Sequence, residues 1–217
     1  MLNTEDYMKI FHEIKNSVTL INSYLQLVEK KNPQISSFDY WDSSKSEVAR
    51  LRTVVTELSQ VKFGDSLQLE YTDLNSFLTE CCNNFHCFDG AEQISCKLSL
   101  PETPCVAAVD AKQLRHAILN LLKNSCEAME HHGTIKLSLF QNNGAASIRI
   151  TDSGGGIAPD VMDHIFDPFI TTKSEGSGLG LSITKQIITA HHGTITVESQ
   201  QGEGATFTLM LPLAQAD

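Results

Sequence analysis

Asp152 follows Thr151 and is itself followed by Ser153-Gly154-Gly155-Gly156-Ile157. An ionised carboxylate only accepts hydrogen bonds, which suits it to the exocyclic amino group of a nucleobase. A second cluster, Gly176-Ser177-Gly178-Leu179-Gly180-Leu181, lies a short way downstream. Glycines carry no Cβ, so backbone N–H groups there can come close to a phosphate. After Gly180 the spacing of Leu181, Ile183, Ile187 and Ile188 predicts a helix whose N-terminus would face the same anion. Upstream, Asn120 and Asn124 are four residues apart and share one face of a predicted helix. Their amide oxygens could hold a divalent cation that also binds phosphates. Either glycine cluster alone is equally compatible with two ordinary turns.

A different chemistry is available near the N-terminus, in Phe11-His12-Glu13-Ile14-Lys15-Asn16. At 100° per residue His12 points roughly 160° away from the apolar seam of its helix, toward solvent. An imidazole nitrogen can attack a γ-phosphoryl group when a neighbouring carboxylate removes or directs its proton, and Glu13 is adjacent. Asn16 lies one turn on, on the His12 face, where its amide could orient a water. The plainer reading is a surface histidine on a helical bundle.

These residues need elements to position them. From Thr4 to about Lys31, Tyr7, Phe11, Ile14, Val18, Ile21, Leu25 and Val28 recur at three- and four-residue steps, predicting an amphipathic helix with a coiled-coil-like seam. Asn32-Pro33 stops it. A second helix is expected from about Phe38, with Trp41, Ser44, Val48, Leu51, Val55 and Leu58 on one stripe. Two such helices form an antiparallel hairpin. One hairpin cannot cover both stripes, so two copies pairing into a four-helix bundle is the expected solution, with packing on the rest of the chain as the alternative. Gly64-Asp65-Ser66 reads as a linker, dividing the chain into 1–63 and 64–217.

Beyond the linker, Leu67–Tyr71 is a short strand candidate and Leu74–Phe85 a helix with Asp73 near its start. Ile94–Leu100 and Val106–Val109 read as strands. Asp110 looks like the N-cap of a long helix through Met129 that carries both asparagines. Ile135–Phe140 and Ile148–Ile150 make a hairpin turned at Asn143-Gly144, and Ile195–Val197 and Thr206–Leu211 a last pair turned by Gln201-Gly202-Glu203-Gly204. Helices mixed with mostly antiparallel strands favour an α+β sandwich with helices on one face.

The 217 residues allow one large domain or two smaller ones, and 41% hydrophobic with 19% charged residues marks a globular chain. A net charge of −10 argues against a nucleic-acid surface. No apolar run approaches the roughly 20 residues of a spanning helix, and no signal peptide is evident, so a cytoplasmic location is expected. Six cysteines (81, 82, 87, 96, 105, 126) show no CxxC pair and are expected to be reduced. The histidine doublets 131–132 and 191–192 read as helix-end residues rather than metal ligands.

Taken in order, Asn120-Leu121-Leu122-Lys123-Asn124, Asp152-Ser153-Gly154-Gly155-Gly156 and Gly176-Ser177-Gly178-Leu179-Gly180 resemble the N, G1 and G2 boxes of the gyrase/histidine-kinase ATPase superfamily. Phe166-Asp167-Pro168-Phe169-Ile170-Thr171-Thr172-Lys173 resembles the F box of histidine kinases, and the His12 segment resembles their H box. The resemblance covers nearly the whole chain and is nearest to nitrogen-regulator and sporulation kinases. It implies a dimeric four-helix bundle followed by an α/β-sandwich ATP-binding domain of the gyrase/histidine-kinase type. It further implies that His12 accepts a phosphoryl group from ATP, Glu13 serves as base and Asn16 assists dephosphorylation of a response-regulator receiver domain. Asn120 and Asn124 would stand at the phosphate and Mg2+ side, with Asn124 on the metal. Asp152 would bind the adenine amino group, with Gly154 and Gly156 shaping its turn. Lys173 would belong to a mobile lid, and Gly176, Gly178, Leu179 and Gly180 to its phosphate-facing edge.

Three residues depart from that pattern. Ser17 stands where proline is usual, Ser153 where asparagine is commoner, and Ala205 where a serine or threonine often supports the adenine site. Two other readings stay open: an ATPase of the same superfamily that drives a clamp, and a phosphotransfer or scaffold protein that no longer binds ATP.

Overall fold

The computed structural model describes residues 4–60, 67–85, 91–130, 132–142, 144–173 and 176–214, with the side chains of 4–12 and 59–60 outside that description. The expected linker Gly64-Asp65-Ser66, and also Asn143, Cys87 and His131, lie outside the described residues. The chain divides into two compact units, one of Met1–Phe63 with Phe169–Gly180, the other of Gly64–Pro168 with Leu181–Asp217.

In the first unit, helix α1 spans Thr4–Lys31 and helix α2 spans Trp41–Gln60. Between them Pro33–Ser37 forms a single 3-10 turn. The second helix therefore begins three residues later than the sequence suggests, because proline and the turn fill the start of that stretch, and Tyr40 takes a left-handed backbone angle just before it. The two helices pack on each other. Lys45 on α2 pairs with Glu29 on α1 at 2.6 Å, and the Trp41 indole N–H donates to the same carboxylate. Val18 and Val55 are buried, yet Ile14, Ile21, Val28 and Leu51 stay exposed. One pair of helices thus leaves much of its apolar stripe uncovered.

The second unit is built on a five-stranded sheet, in the order β2-β4-β5-β7-β6. Its strands are β2 (Ile94–Ser99), β4 (Gly133–Asn142), β5 (Ala145–Asp152), β6 (Thr194–Ser199) and β7 (Ala205–Pro212). β2 and β4 pair in parallel and the other neighbours antiparallel. A separate two-stranded piece joins β1 (Glu70–Asp73) to β3 (Val106–Val109). β1 is shifted from the expected Leu67–Tyr71, because pairing runs Glu70↔Val109 to Asp73↔Val106 and leaves Leu69 exposed. Alternation does what a one-sided sheet requires: Ala205, Phe207, Leu209 and Leu211 of β7 are buried, and so are Ile148 and Ile150 of β5.

Helices α3 (Leu74–Phe85) and α4 (Ala111–Ala128) lie against the sheet and bury Leu74, Leu78, Phe85, Leu114, Ile118, Leu121 and Leu122. Their starts are chemically defined. Asp73 accepts from the backbone N–H of Asn75 and of Ser76, and Asp110 accepts from that of Gln113, satisfying donors that a first helical turn leaves open. A four-residue helix α5 (Pro159–Met162), which no periodicity announced, follows the first glycine cluster. Helix α6 (Gly180–Ala190) buries Ile183, Ile187 and Ile188. Cys81, Cys82, Cys96, Cys105 and Cys126 are unbridged, though Cys82 and Cys96 place their sulfurs 2.7 Å apart. Burial pushes the Cys81 thiol up to about 11.

Candidate functional site

β5 carries Asp152 to its last position and leaves it buried. The chain cannot continue as a strand there because the glycines that follow make backbone approaches closed to other residues. A Cβ at Gly154 would meet the Ala128 carbonyl at 2.8 Å, and Gly156 combines φ +71 with a collision against the Gln200 carbonyl. The turn is pinned on both sides: Gly155 N–H donates to the Ala128 carbonyl at 3.2 Å, and Gly202 N–H donates to the Gly155 carbonyl at 2.7 Å.

That turn leaves the carboxylate in a defined state of saturation. Oδ1 accepts from Gly154 N–H at 3.0 Å and Ala205 N–H at 3.2 Å, while Oδ2 accepts from the Ser125 hydroxyl at 3.1 Å. A carboxylate offers about four acceptor positions. Three are taken by the protein, and the one left, on Oδ2, fits one further donor. Ser125 was not singled out by sequence spacing. Its signal is a small hydroxyl on the buried face of α4, one residue past Asn124.

Asn120 and Asn124 both lie on α4, half-buried. The Asn120 amide nitrogen donates to the hydroxyl of Thr184 on α6 at 2.9 Å. Thr184 is fully buried, so this bond fixes which way the amide points and directs its oxygen away from α6. Ser125 ties the same helix to Asp152 one residue beyond Asn124. A hard cation takes oxygen ligands and retains phosphate and water among them. The neutral carboxamides fit such a shared role. Among the described residues no three His, Cys, Asp or Glu side chains gather to hold a metal by themselves.

His191, read as a helix-end residue, directly follows α6, and its partner is one that spacing does not show. Its Nδ1 lies 2.7 Å from the Ile187 carbonyl, and its Nε2 accepts from the Asp110 backbone N–H at 2.9 Å. A carbonyl can only accept, so Nδ1 carries the proton and the ring is neutral. With both nitrogens used, this histidine buttresses the Asp110 cap of α4 and has no lone pair for a metal.

The second glycine cluster belongs to the first unit. Phe169 N–H donates to the Gly178 carbonyl at 2.9 Å. Gly178 has φ +70, and a Cβ there would reach the Phe169 backbone; one at Gly176 would meet Thr171. Lys173 is exposed, with its backbone N–H on the Thr171 hydroxyl at 3.1 Å. Leu179 is buried, its N–H donating to the Ser177 hydroxyl at 3.2 Å, and Gly180 begins α6. Phe169 holds a left-handed backbone angle, φ 67, a position that costs a residue with a side chain and marks the turn as constrained.

Residues 109–215 match the family model described as histidine kinase-, DNA gyrase B-, and HSP90-like ATPase. Over 205 residues, 94% of this chain, the sequence is 33% identical to the sensor histidine kinase ZraS of Escherichia coli strain K12 and 30% over 204 residues to sporulation kinase D of Bacillus subtilis strain 168. By family, the chain is a histidine kinase catalytic core. It spans less than half the length of these curated relatives, 44% and 40%. The crystal structure of full-length ShkA in complex with AMPPNP shares its fold, with a TM-score of 0.76 over 99% of this chain and 47% of that one, at 22% identity.

Within this histidine kinase core the three departures have local explanations. Ala205 contacts Asp152 through its backbone N–H, a donor that any residue but proline supplies, while the hydroxyl on the carboxylate comes from Ser125. Ser153 accepts from Thr134 N–H at 3.1 Å and fastens the turn to β4. Ser17 donates its hydroxyl to the Glu13 carbonyl at 3.0 Å, as Thr19 does to Lys15 and Ser23 to Thr19. Glu13 and Asn16 are exposed on α1. His12 lies on the same helix, its side chain outside the described residues. Among the described residues no helix is long and apolar enough to cross a membrane.

Proposed function

We propose that this chain is an ATP-dependent protein-histidine kinase of a two-component system. A nitrogen of the His12 imidazole attacks the γ-phosphorus of ATP. The new N–P bond replaces the bond from that phosphorus to the β,γ-bridging oxygen, ADP departs, and the imidazole proton passes toward Glu13. The phosphoryl group then moves to an aspartate of a response-regulator receiver domain, and Asn16 orients the water that later removes it. Asp152 takes the adenine amino group. Asn120 and Asn124 face the phosphates, with Asn124 on Mg2+, whose contribution is to neutralise phosphate charge. Lys173, Gly176, Gly178, Leu179 and Gly180 cover the triphosphate. The phosphoacceptor region is 1–63, the ATP-binding region 64–217, and the site of action the cytoplasm.

The observation that carries this reading is the Asp152 carboxylate, buried, held by three protein donors and left with one acceptor position. An amino group fills it; a hydroxyl-free anion does not. Family membership and the AMPPNP complex of ShkA support a nucleotide there. Calorimetric titration with Mg-ATP tests it. Asp152→Asn replaces one oxygen with a donor, and a lost charge-assisted bond is worth about 1.5–3 kcal/mol, so affinity should fall at least tenfold. Equal affinity in the variant refutes the assignment.

Homodimerisation belongs to the same proposal. Its support is the stripe of Ile14, Ile21, Val28 and Leu51, exposed on the helix pair and open to cover by a second copy.

A further inference from the structure

Glu57 on α2 stands 120 residues from the second glycine cluster, yet its Oε2 accepts a hydrogen bond from the Ser177 hydroxyl at 2.6 Å. Ser177 is buried at that point and cannot exchange this partner for bulk water. The same hydroxyl oxygen accepts from Leu179 N–H at 3.2 Å. A short relay therefore runs from the backbone of the glycine loop, through Ser177, to a carboxylate on the helix pair. The loop is otherwise folded on itself, through Phe169 N–H to the Gly178 carbonyl and Thr171 against Gly176. The Glu57–Ser177 bond joins this loop to α2 through two side chains.

We propose that Glu57 is a latch that competes with the triphosphate of ATP for the glycine loop; this rests on the function proposed above. A serine has one O–H donor, and it serves Glu57. A phosphate oxygen drawn to the Leu179 N–H must displace Ser177 from it, and the hydroxyl then leaves the carboxylate. Charge acts in the same direction. A carboxylate and a polyphosphate cannot both approach one small loop without repelling, and burial at Ser177 weakens the screening that would hide them from each other. Nucleotide binding and attachment of the loop to the phosphoacceptor helix pair are thus alternatives, with Glu57 as the positioning residue that sets the balance.

Two readouts on the full chain test the latch. The first needs no nucleotide: limited trypsin cleavage after the exposed Lys173 reports how firmly the loop is held. Glu57→Ala should speed that cleavage, while Glu57→Gln, which keeps an acceptor for Ser177, should remain close to the unaltered protein. The second is Mg-ATP affinity by calorimetry. Removing a charged hydrogen-bond competitor should tighten binding by about tenfold in Glu57→Ala, with Glu57→Gln in between because it loses charge but keeps the acceptor. Faster cleavage with tighter binding supports the latch. Unchanged cleavage in Glu57→Ala overturns the tether, and unchanged or weaker ATP binding in a Glu57→Ala protein of normal melting temperature overturns the competition. Should Glu57→Ala fail to fold, Glu57→Gln alone decides, since unchanged affinity on loss of the charge contradicts the proposal. Absence of ATP binding by the unaltered chain overturns the proposed function and the competition with it, whereas the cleavage result still tests the tether itself.

Discussion

Asp152 and His191 are both buried polar residues, and hydrogen-bond accounting separates their roles. Asp152 has three donors and room for a fourth, the ground on which it is proposed to take a ligand. His191 has its donor and its acceptor both committed to backbone, which is the signature of a structural group. His191→Ala should therefore remove the hydrogen bond that Asp110 N–H makes to Nε2, a loss of about 0.5–1.5 kcal/mol that lowers the melting temperature. Thermal unfolding checks this, and a melting temperature equal to that of the unaltered protein would contradict it. At this scale the sequence is most legible where a residue type has few uses: Asp152 before three glycines, and aspartates at 73 and 110 before helical runs. It is silent where the partner is remote. Nothing in the spacing couples Ser125 to Asp152, Asn120 to Thr184, or Ser177 to Glu57, because each pair is made by the fold rather than by a local period.

Elements show where local chemistry suffices and where it does not. α3 begins at Leu74 because Asp73 caps it, and hydrogen bonds from Ser76, first its hydroxyl and then its backbone, hold the Asp73 carboxyl below the usual carboxylate range despite partial burial. Asp73→Ala should cost about 1 kcal/mol, an ordinary N-cap value. Since folding lowers this pKa, the contribution is complete above the unfolded carboxyl's range and disappears as pH falls through the lowered value. Urea titrations at neutral and strongly acidic pH should show the difference between the two proteins shrinking toward zero in acid; a constant difference would refute the cap. β1 lies later than the apolar Leu67 and Leu69 suggest, because pairing with β3 selects Glu70–Asp73. α5, four residues long, has too little sequence for any periodicity to show. α1 adds a qualification to the absence of proline at 17. Ser17 keeps its backbone N–H, which favours a stiffer helix, but its hydroxyl also bonds the Glu13 carbonyl, a contact that tends to bend helices.

For the whole molecule, the proposed chemistry joins two parts of different design: a helix pair with an apolar stripe left open, and a sheet-and-helix unit with a complete core. The open stripe is the ground for the proposed dimer, for which sedimentation at micromolar concentration should give twice the chain mass; a monomer there would reject it. The segment 169–180 belongs by contact to the helix pair although the chain enters it from the other unit, and sequence order alone divides the molecule at one point only. The proposed function turns on phosphorylation of His12 by ATP. Incubation with ATP labelled at the γ-phosphate, followed by acid and base treatment, tests it most directly. Acid should remove the label and base leave it, and His12→Gln should carry none while keeping its Mg-ATP affinity. Equal labelling of His12→Gln, or a bound phosphoryl group that survives acid, would contradict it.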